Sequence, residues 1–420
     1  MKNTAQIWRP FTQEKTAPPS IKIVRGEGSY VFDESGKKYL DLISSWWVNL
    51  HGHANKEIAE AIYEQAKILE HVIFAGFSHD PAENLCKKLS LVLPQQLCKF
   101  FFSDNGSTSV EVALKMAYQY WKNKGFHNKK KFVCFEGGYH GDTLGAMSVG
   151  SGYHDVFQDL FFDSFKISWP ATWIGDESVE EKEEKAISEY QKYLHDNGEN
   201  TAAIIVEPMI QGASGMRVIR PEFLQQIVDI SKKNDVIIIF DEVMTGFYRT
   251  GKMFALEYIS SEYPDILSVS KGITGGFLPL SLTITTDKIY EAFLDDSFAK
   301  AFVHGHSYTA NPLCCAAALA SFDILQRPET LRNINEINQI HMRWAQKLMD
   351  HKSIDKVRIL GTICAFSFNE FSQYRMNNIV SSMKESGFMV RPLKDTLYFI
   401  PPYCTSNEQL NGAYKTLLKI

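Results

Sequence analysis

The stretch VIIIFDE, residues 236–242, decides the fold that the sequence predicts. It is a short apolar run that ends in two acidic residues, and four similar apolar runs occur elsewhere in the chain: CKFFF (98–102), KFVCFE (131–136), AAIIVE (202–207) and DILSVS (265–270). Amphipathic segments such as TSVEVALKMAYQYW (108–121) and EFLQQIVDISKK (222–233) separate these runs. Because strands that alternate with helices indicate βαβ units, the sequence predicts an α/β fold with a mostly parallel sheet covered on both faces.

The flanking regions predict a second, smaller domain of the α+β type. SYVFDESGKKYLDL (29–42) alternates around a polar turn, as hairpins do, and TICAFSF and TLYFIPP predict short strands late in the chain. We therefore predict a large domain at residues 51–315 and a small domain formed by residues 1–50 and 316–420.

Helices are predicted at four further places. One begins near Asn55, and another begins at DPAENL, with Asp80 as its N-cap and Pro81 at the first helical position. The charged stretch at 175–198 predicts a solvated surface helix, and the apolar stretch PLCCAAALASFDIL (312–325) predicts a long buried one.

The composition excludes several classes of function. Forty-four basic and 49 acidic side chains give a net charge of −5, and no block of like charge dominates, so no nucleic-acid or membrane partner is expected. The first residues, MKNTAQIWRPF, lack the apolar core of a signal peptide. Seven scattered cysteines fit a reducing cytoplasm, and no cysteine–histidine cluster has metal-ligand spacing. We expect a cytoplasmic protein without a metal site.

Two polar residues follow neighbouring predicted strands. Asp241 closes the run VIIIF, and Lys271 comes directly after DILSVS. Because the carboxyl ends of parallel strands form the ligand-binding edge of such sheets, both side chains should reach one site. Taken singly, the aspartate also fits a turn or helix cap, and the lysine also fits a surface side chain. Together they fit a site for pyridoxal 5'-phosphate, in which a lysine bonds the aldehyde carbon and an acid holds the pyridinium nitrogen.

A candidate phosphate cradle and a candidate stacking face precede these residues. FFSDNGSTSVEVALK (101–115) predicts a strand, a turn and a helix, so the N–H groups of Gly106 and Ser107 would face an anion. Such a turn is also an ordinary helix cap. GGYHGDTLGAMSV (137–149) offers Tyr139 and His140 to a flat ring, although His140 fits equally well as a structural histidine.

The combined pattern EPMIQGASGM, FDEVMTGFYRTG and DILSVSKGITGG resembles the class III pyridoxal-phosphate-dependent aminotransferases, and the resemblance covers nearly the whole chain. It implies a fold type I transferase with a large α/β domain and a smaller α+β domain. It also implies transamination of small-molecule substrates by a homodimer whose active sites lie at the interface.

The resemblance assigns roles to individual residues. It implies that Lys271 forms the Schiff base with the cofactor and that Asp241 is the partner of the pyridinium; these two are the predicted catalytic residues. Ser307 would reach the phosphate in the neighbouring subunit, within a Gly305-His306-Ser307 sequence where many members read Gly-Pro-Thr. No specific role follows for His306. The predicted cofactor-binding residues are Gly106, Ser107, Tyr139, Asp241, Lys271, His306 and Ser307.

Three further stretches narrow the predicted substrate. IWRPFTQ (7–13), SSWWVNLHGH (44–53) and VRPLKDTLYFIPPY (390–403) resemble the members that convert 8-amino-7-oxononanoate to 7,8-diaminononanoate in biotin biosynthesis. The paired tryptophans would form an apolar wall with an indole donor, although they also fit ordinary core packing. Arg391 would hold the substrate carboxylate, and Tyr398 would lie near it. The predicted substrate-binding residues are Phe11, Trp46, Trp47, Tyr139, Gly305, Arg391 and Tyr398.

Two alternatives to this function remain at the level of sequence. An ω-amine or ornithine-type aminotransferase of the same class would share every cofactor residue. A non-catalytic, pyridoxal-binding scaffold dimer would not need both Lys271 and Asp241. The predicted amino donor is S-adenosylmethionine, but Phe11 stands where many members using that donor have tyrosine, so lysine is an alternative donor.

Overall fold

The computed structural model describes residues 6–151, 155–260, 262–369 and 371–420, and strands and helices alternate through most of this length. The strands are β1 (Ile23–Glu27), β2 (Tyr30–Asp33), β3 (Lys38–Asp41), β4 (Leu97–Ser103), β5 (Lys131–Phe135), β6 (Ser164–Ile167), β7 (Thr201–Val206), β8 (Ile210–Gln211), β9 (Arg217–Val218), β10 (Ile237–Asp241), β11 (Ile266–Val269), β12 (Ser281–Thr286), β13 (Ile354–Leu360), β14 (Ile363–Phe368), β15 (Phe388–Met389) and β16 (Thr396–Phe399). The helices are α1 (Ser44–Trp47), α2 (Lys56–Ala66), α3 (Asp80–Ser90), α4 (Gly106–Asn123), α5 (Leu144–Ser148), α6 (Val179–Asn197), α7 (Pro221–Lys233), α8 (Asp287–Glu291), α9 (Pro312–Leu325), α10 (Pro328–Met349), α11 (Gln373–Glu385) and α12 (Asn407–Leu417).

The large sheet has seven strands in the order β4-β12-β11-β10-β7-β5-β6. The strands from β11 to β6 run parallel to one another, whereas β12 is antiparallel to both β11 and β4. The prediction of an α/β fold with a mostly parallel sheet is confirmed, and all five strands predicted from apolar runs are present. The sequence analysis missed β6 and β12. β12 has no apolar run because Ser281, Thr283 and Thr285 alternate with its apolar residues and are buried.

Both faces of the sheet are covered, as the continuous apolar runs predicted. All six residues of β7 are buried. Ile204 and Val206 belong to one apolar cluster, with α7 residues such as Phe223, while Ile205 points to the other cluster, with α4 residues such as Val110. The sheet is therefore a rigid layer between two apolar cores, and its edge can hold side chains in fixed positions.

Two smaller sheets bring the beginning and the end of the chain together. One has the order β1-β2-β3-β15, in which β2 and β3 form the predicted hairpin and β15 lies parallel to β3. The other has the order β13-β14-β16 and contains both predicted late strands. The division into domains at residues 51–315 and the flanking segments stays a prediction.

The helix boundaries confirm most predictions and correct one. The side chain of Asn55 caps α2, while α6 and α9 lie where the charged and apolar stretches predicted helices. The predicted N-cap of α3, Asp80, is wrong, because His79 occupies that position. The Nδ1 atom of His79 accepts the N–H of Ala82 at 3.3 Å, and its Nε2 lies 2.7 Å from the carbonyl oxygen of Ala310. Among the described residues, no helix is both long and apolar enough to span a bilayer.

Candidate active site

The carboxyl edge of the large sheet and the start of α4 enclose a cavity of about 440 Å³. Asp241 ends β10 and Lys271 follows β11 after one residue. Because these two strands are parallel, with Asp241 opposite Ser268, both side chains reach the edge where α/β folds bind ligands. The predicted cofactor-binding residues that line this cavity are Gly106, Ser107, Tyr139, Asp241 and Lys271.

Asp241 is held at the floor of the cavity by two contacts. Its side chain is 4% exposed, and its Oδ1 accepts the N–H of Val243 at 3.0 Å. Its Oδ2 lies 2.7 Å from Nδ1 of His140. Burial alone would lower the pKa of His140, but the hydrogen bond to Asp241 and the charge of that carboxylate outweigh burial and raise it. His140, which the sequence left open, therefore orients the Asp241 carboxylate.

Glu207 is a site residue that the sequence analysis missed. It follows β7, lines the cavity and is 6% exposed. Its two carboxylate oxygens accept the N–H groups of Tyr139 at 3.0 Å and Gly212 at 2.9 Å, which favours the charged form. Burial, reinforced by the charge of Asp241, outweighs these bonds and raises the pKa of Glu207 to about 7. Since AAIIVE ends in an acid just as VIIIFDE does, the same strand-end argument applies to it.

Lys271 begins a 3-10 turn, Lys271–Thr274, in a strained conformation. Its φ of 41° lies in the left-handed region, which side chains with a β-carbon rarely adopt. The turn packs closely on the chain after α1, since a β-carbon on Gly272 would lie 2.9 Å from Leu50. Burial lowers the pKa of the Lys271 amine, although the charges of Asp241 and Glu207 oppose the shift. A lysine that loses its proton readily can attack a carbonyl carbon.

The start of α4 can hold an anion. Gly106 and Ser107 are its first two residues, so their N–H groups have no partner within the helix, and the helix dipole favours negative charge there. Asn105 caps the helix by accepting the N–H of Thr108 at 3.1 Å. Gly141 lies against this start with a φ of 125°, and a β-carbon on it would come 2.1 Å from Oγ of Ser107. Glycine is therefore required beside the cradle.

These groups fit pyridoxal 5'-phosphate. A helix start with a hydroxyl suits its phosphate, a carboxylate suits its pyridinium nitrogen, and a lysine with a lowered pKa suits its aldehyde. All three line the same cavity, with Tyr139 beside them.

A second cavity, of about 600 Å³, adjoins the first and shares Lys271, Trp47 and Tyr139 with it. Its walls are mostly aromatic and apolar, and they contain a second cationic residue, Arg391, besides Lys271. The Cζ atom of Arg391 lies 4.2 Å from the ring centroid of Trp46, and Phe11 meets the same indole edge-on at 5.5 Å. The structure thus brings together five of the seven residues predicted to bind substrate: Phe11, Trp46, Trp47, Tyr139 and Arg391.

The two tryptophans lie on α1, which is a left-handed turn. Ser44, Ser45, Trp46 and Trp47 have φ values of 47°, 45°, 73° and 72°. The N–H of Trp47 donates to Ile43 and that of Val48 to Ser44, as in a helix of the opposite hand. Left-handed helical residues with a β-carbon cost roughly 1–2 kcal/mol each, so neighbouring contacts must stabilise this turn.

The expectation that Tyr398 binds the substrate is corrected. Tyr398 does not line either cavity but is buried behind Trp47. Its hydroxyl oxygen accepts the indole N–H of Trp47 at 3.1 Å, so that N–H is not directed at a substrate. Tyr398 therefore orients Trp47 by a contact between distant parts of the chain that the sequence could not show.

The Gly305-His306-Ser307 segment does not line either cavity of its own chain. Ser307 is exposed, and Nδ1 of His306 accepts the N–H of Tyr308 at 3.2 Å. This location is compatible with a role in a neighbouring subunit, which stays a prediction.

Comparison with known families shows which family this chain belongs to. A family model described as aminotransferase class III matches residues 11–420. The chain belongs to the class III aminotransferases. It is therefore a pyridoxal-phosphate-dependent transaminase of fold type I, as the sequence predicted.

Two aminotransferases of the same name are similar to this chain over nearly their full length. The adenosylmethionine-8-amino-7-oxononanoate aminotransferase of Synechococcus elongatus is 44% identical, over 99% of this chain and 98% of that protein. The protein of the same name from Staphylococcus aureus is 38% identical, over 100% of this chain and 95% of that protein.

Solved structures with the same fold include aminotransferases with different names. The crystal structure of adenosylmethionine-8-amino-7-oxononanoate aminotransferase from Methanocaldococcus jannaschii has a TM-score of 0.91 and 36% identity, covering 99% of this chain and 96% of that one. An amine transaminase from an uncultivated Pseudomonas species has a TM-score of 0.89 but 27% identity, covering 98% and 97%. The fold alone therefore does not separate these functions.

Proposed function

We propose that this aminotransferase acts in biotin biosynthesis, converting 8-amino-7-oxononanoate to 7,8-diaminononanoate with S-adenosylmethionine as amino donor. The observation that carries the proposal is the second cavity, in which an aromatic wall leads from Lys271 to the guanidinium of Arg391. Relatives at 34–44% identity that carry the adenosylmethionine-8-amino-7-oxononanoate aminotransferase name support it.

The chemistry of the substrate matches this cavity. 8-Amino-7-oxononanoate has a reacting ketone near one end, a methylene chain and a carboxylate at the other end. Trp46, Trp47 and Phe11 offer apolar surface to the methylene chain. Arg391 forms no ion pair with the described residues, so its guanidinium group is available to a carboxylate. A guanidinium can bind a carboxylate through two parallel hydrogen bonds.

The first cavity carries the transamination step. The bound cofactor supplies an electrophilic carbon and a ring that accepts negative charge from the substrate carbon. Lys271 would hold the cofactor through its aldehyde carbon, and its amine, once free, would move a proton to and from the substrate carbon. Asp241, oriented by His140, would hold the proton on the ring nitrogen. Gly106 and Ser107 would bind the phosphate at the start of α4, and Tyr139, which lines the same cavity, would lie against the ring.

The active unit in this proposal is a cytoplasmic homodimer. Ser307 would donate its hydroxyl to the phosphate in the partner subunit, with Gly305 and His306 beside that site. The support is the exposure of Gly305 and Ser307 and of the large residues on either side of them, since Val303 is 73% and Tyr308 67% exposed. All seven cysteines are free, which fits a reducing compartment.

The test is a series of half-reactions with the purified, cofactor-loaded protein. S-adenosylmethionine, lysine, ornithine and glutamate are offered in turn, and loss of the absorbance band of the lysine-bound cofactor is followed. S-adenosylmethionine should discharge the band, and 8-amino-7-oxononanoate should restore it. A protein that ignores this keto acid but aminates a short aldehyde would be an ω-amine transaminase. A band that no donor discharges would indicate a non-catalytic scaffold.

Arg391→Ala should weaken the binding of 8-amino-7-oxononanoate in the second half-reaction by about 10- to 150-fold. The change removes a charge-assisted hydrogen-bonding group worth roughly 1.5–3 kcal/mol. Rates are measured by stopped-flow absorbance over a range of keto-acid concentrations. Arg375→Ala is the matched control, because Arg375 also stacks on an aromatic ring, that of Phe368 at 5.4 Å, but lies outside both cavities. An unchanged keto-acid half-reaction in Arg391→Ala would exclude the assigned carboxylate site.

A further inference from the structure

The buried carboxylate of Asp41 has no part in the cofactor site, yet it accepts three hydrogen bonds beside the substrate wall. Its Oδ1 accepts the N–H of Ile43 at 3.1 Å. Its Oδ2 accepts the hydroxyl of Ser45 at 2.7 Å and lies 3.0 Å from Nε2 of His53. Asp41 is the last residue of β3, so its position is fixed by the sheet. The carboxylate thus ties the left-handed turn α1 to a rigid strand.

The other contacts of α1 hold its two ends. The hydroxyl of Ser44 donates to the carbonyl of Ile400 at 2.6 Å. Nη2 of Arg249 donates to the carbonyl of Trp47 at 3.2 Å, and the indole of Trp47 is fixed by Tyr398. Ser45 lies between these two anchored ends and directly precedes Trp46. Its side chain is held by its hydrogen bond to Asp41, which we call the tether.

Trp46 depends on this tether more than Trp47 does. Trp46 is 36% exposed, whereas Trp47 is 4% exposed and packs within an apolar cluster. Trp46 is also the surface on which the guanidinium of Arg391 lies. A turn that relaxes at Ser45 would therefore move the far end of the substrate cavity and leave the Lys271 end in place.

We propose that Asp41, acting through Ser45, is a positioning residue that sets the chain-length selectivity of this enzyme. By fixing the left-handed turn it places Trp46 and Arg391 where a nine-carbon chain with a terminal carboxylate ends. The inference rests on the proposed function, because it takes the Trp46 and Arg391 wall to be the substrate site.

The test compares Ser45→Ala with wild type on a long and a short substrate. Ser45→Ala should raise KM for 8-amino-7-oxononanoate about tenfold, with kcat within about twofold and KM for a short aldehyde unchanged. Calorimetry should show a similar, about tenfold, loss of affinity for nonanoate, an unreactive nine-carbon carboxylate. Ser35→Ala is the matched control, since Ser35 also donates to an aspartate, Asp33, at 2.6 Å in a distant turn. The control should change neither the KM for 8-amino-7-oxononanoate nor the affinity for nonanoate.

A double-mutant cycle separates a positioning role from a general loss of structure. Asp41→Asn keeps an acceptor for Ile43 but replaces the oxygen that binds Ser45. If Asp41 acts through Ser45, the double variant has the KM of Asp41→Asn alone, because the second change removes nothing further. The cofactor band should have full intensity in all three variants.

The outcomes distinguish this inference from the proposed function. Equal losses for long and short substrates, additive effects in the cycle, or unchanged nonanoate affinity would overturn the role of Asp41. A wild-type protein that does not accept 8-amino-7-oxononanoate would overturn the proposed function, while the nonanoate measurements would still report on the tether.

Discussion

Lys271→Ala should abolish covalent attachment of the cofactor and lower turnover by at least about 10⁴-fold, the upper end of what one acid–base residue contributes. The reason is that the Lys271 amine is the group in the first cavity that can both bond the aldehyde and move the proton. The fold should persist, because the 3-10 turn is held by its packing on Leu50 rather than by the amine. Borohydride reduction followed by mass spectrometry measures the attached cofactor.

Lys129→Ala is the matched control for this change. Lys129 is another lysine whose pKa is lowered by burial, and its Nζ lies 4.2 Å from the ring centroid of Trp121, but it lies outside both cavities. The control should keep its reducible cofactor at the wild-type level. If Lys271→Ala retained the same amount of reducible adduct, the assignment of Lys271 would be wrong.

Asp241→Asn should lower the rate of both half-reactions by about 10²-fold or more, equivalent to about 3 kcal/mol of transition-state stabilisation. A neutral amide cannot hold the proton on the ring nitrogen, so the ring accepts negative charge less well. The amide oxygen can still accept the N–H of Val243, so the strand end should keep its conformation. Stopped-flow absorbance at full cofactor occupancy measures the rate.

Asp265→Asn serves as the control for a buried aspartate of the same sheet. Asp265 is 5% exposed and accepts the N–H of Ile238 at 2.9 Å, at the sheet edge away from the cavity. The Asp265→Asn variant should have a lower thermal stability but unchanged rates of both half-reactions. Near-normal turnover of Asp241→Asn with the cofactor fully bound would mean that Asp241 has only a structural role.

The sequence could predict the sheet and the strand-end residues because both depend on local pattern. Continuous apolar runs identify strands buried on both faces, and chain direction alone brings Asp241 and Lys271 to one edge. β12 was missed because it carries buried hydroxyl groups in place of an apolar run. The hydroxyls of Thr283 and Thr285 are satisfied by residues distant in sequence, the carbonyls of Ser109 at 2.8 Å and Asp265 at 2.9 Å.

What could not be predicted depends on tertiary contacts. The pairing of His140 with Asp241 joins residues 101 positions apart, and no periodicity encodes the direction of an imidazole. The left-handed turn at Ser44–Trp47 contradicts the backbone preference of each of its residues, so local propensity predicts the opposite hand. His79 caps α3 in place of Asp80 with its ring also held by Ala310, 231 positions away.

The parallel pairing of β15 with β3 has a consequence for the order in which the two cavities can form during synthesis. Leu40 is opposite Phe388, so β3 leaves the ribosome about 350 residues before its partner. At about 5–20 residues per second this interval is roughly 20–70 s, during which the edge of β3 lacks that partner. Leu280 is the last residue along the chain that lines the cofactor cavity, whereas Arg391 and Leu393 complete the substrate cavity. All residues that line the cofactor pocket therefore leave the ribosome before the substrate pocket is complete, although Trp47, which lines both, gains its contact with Tyr398 only afterwards.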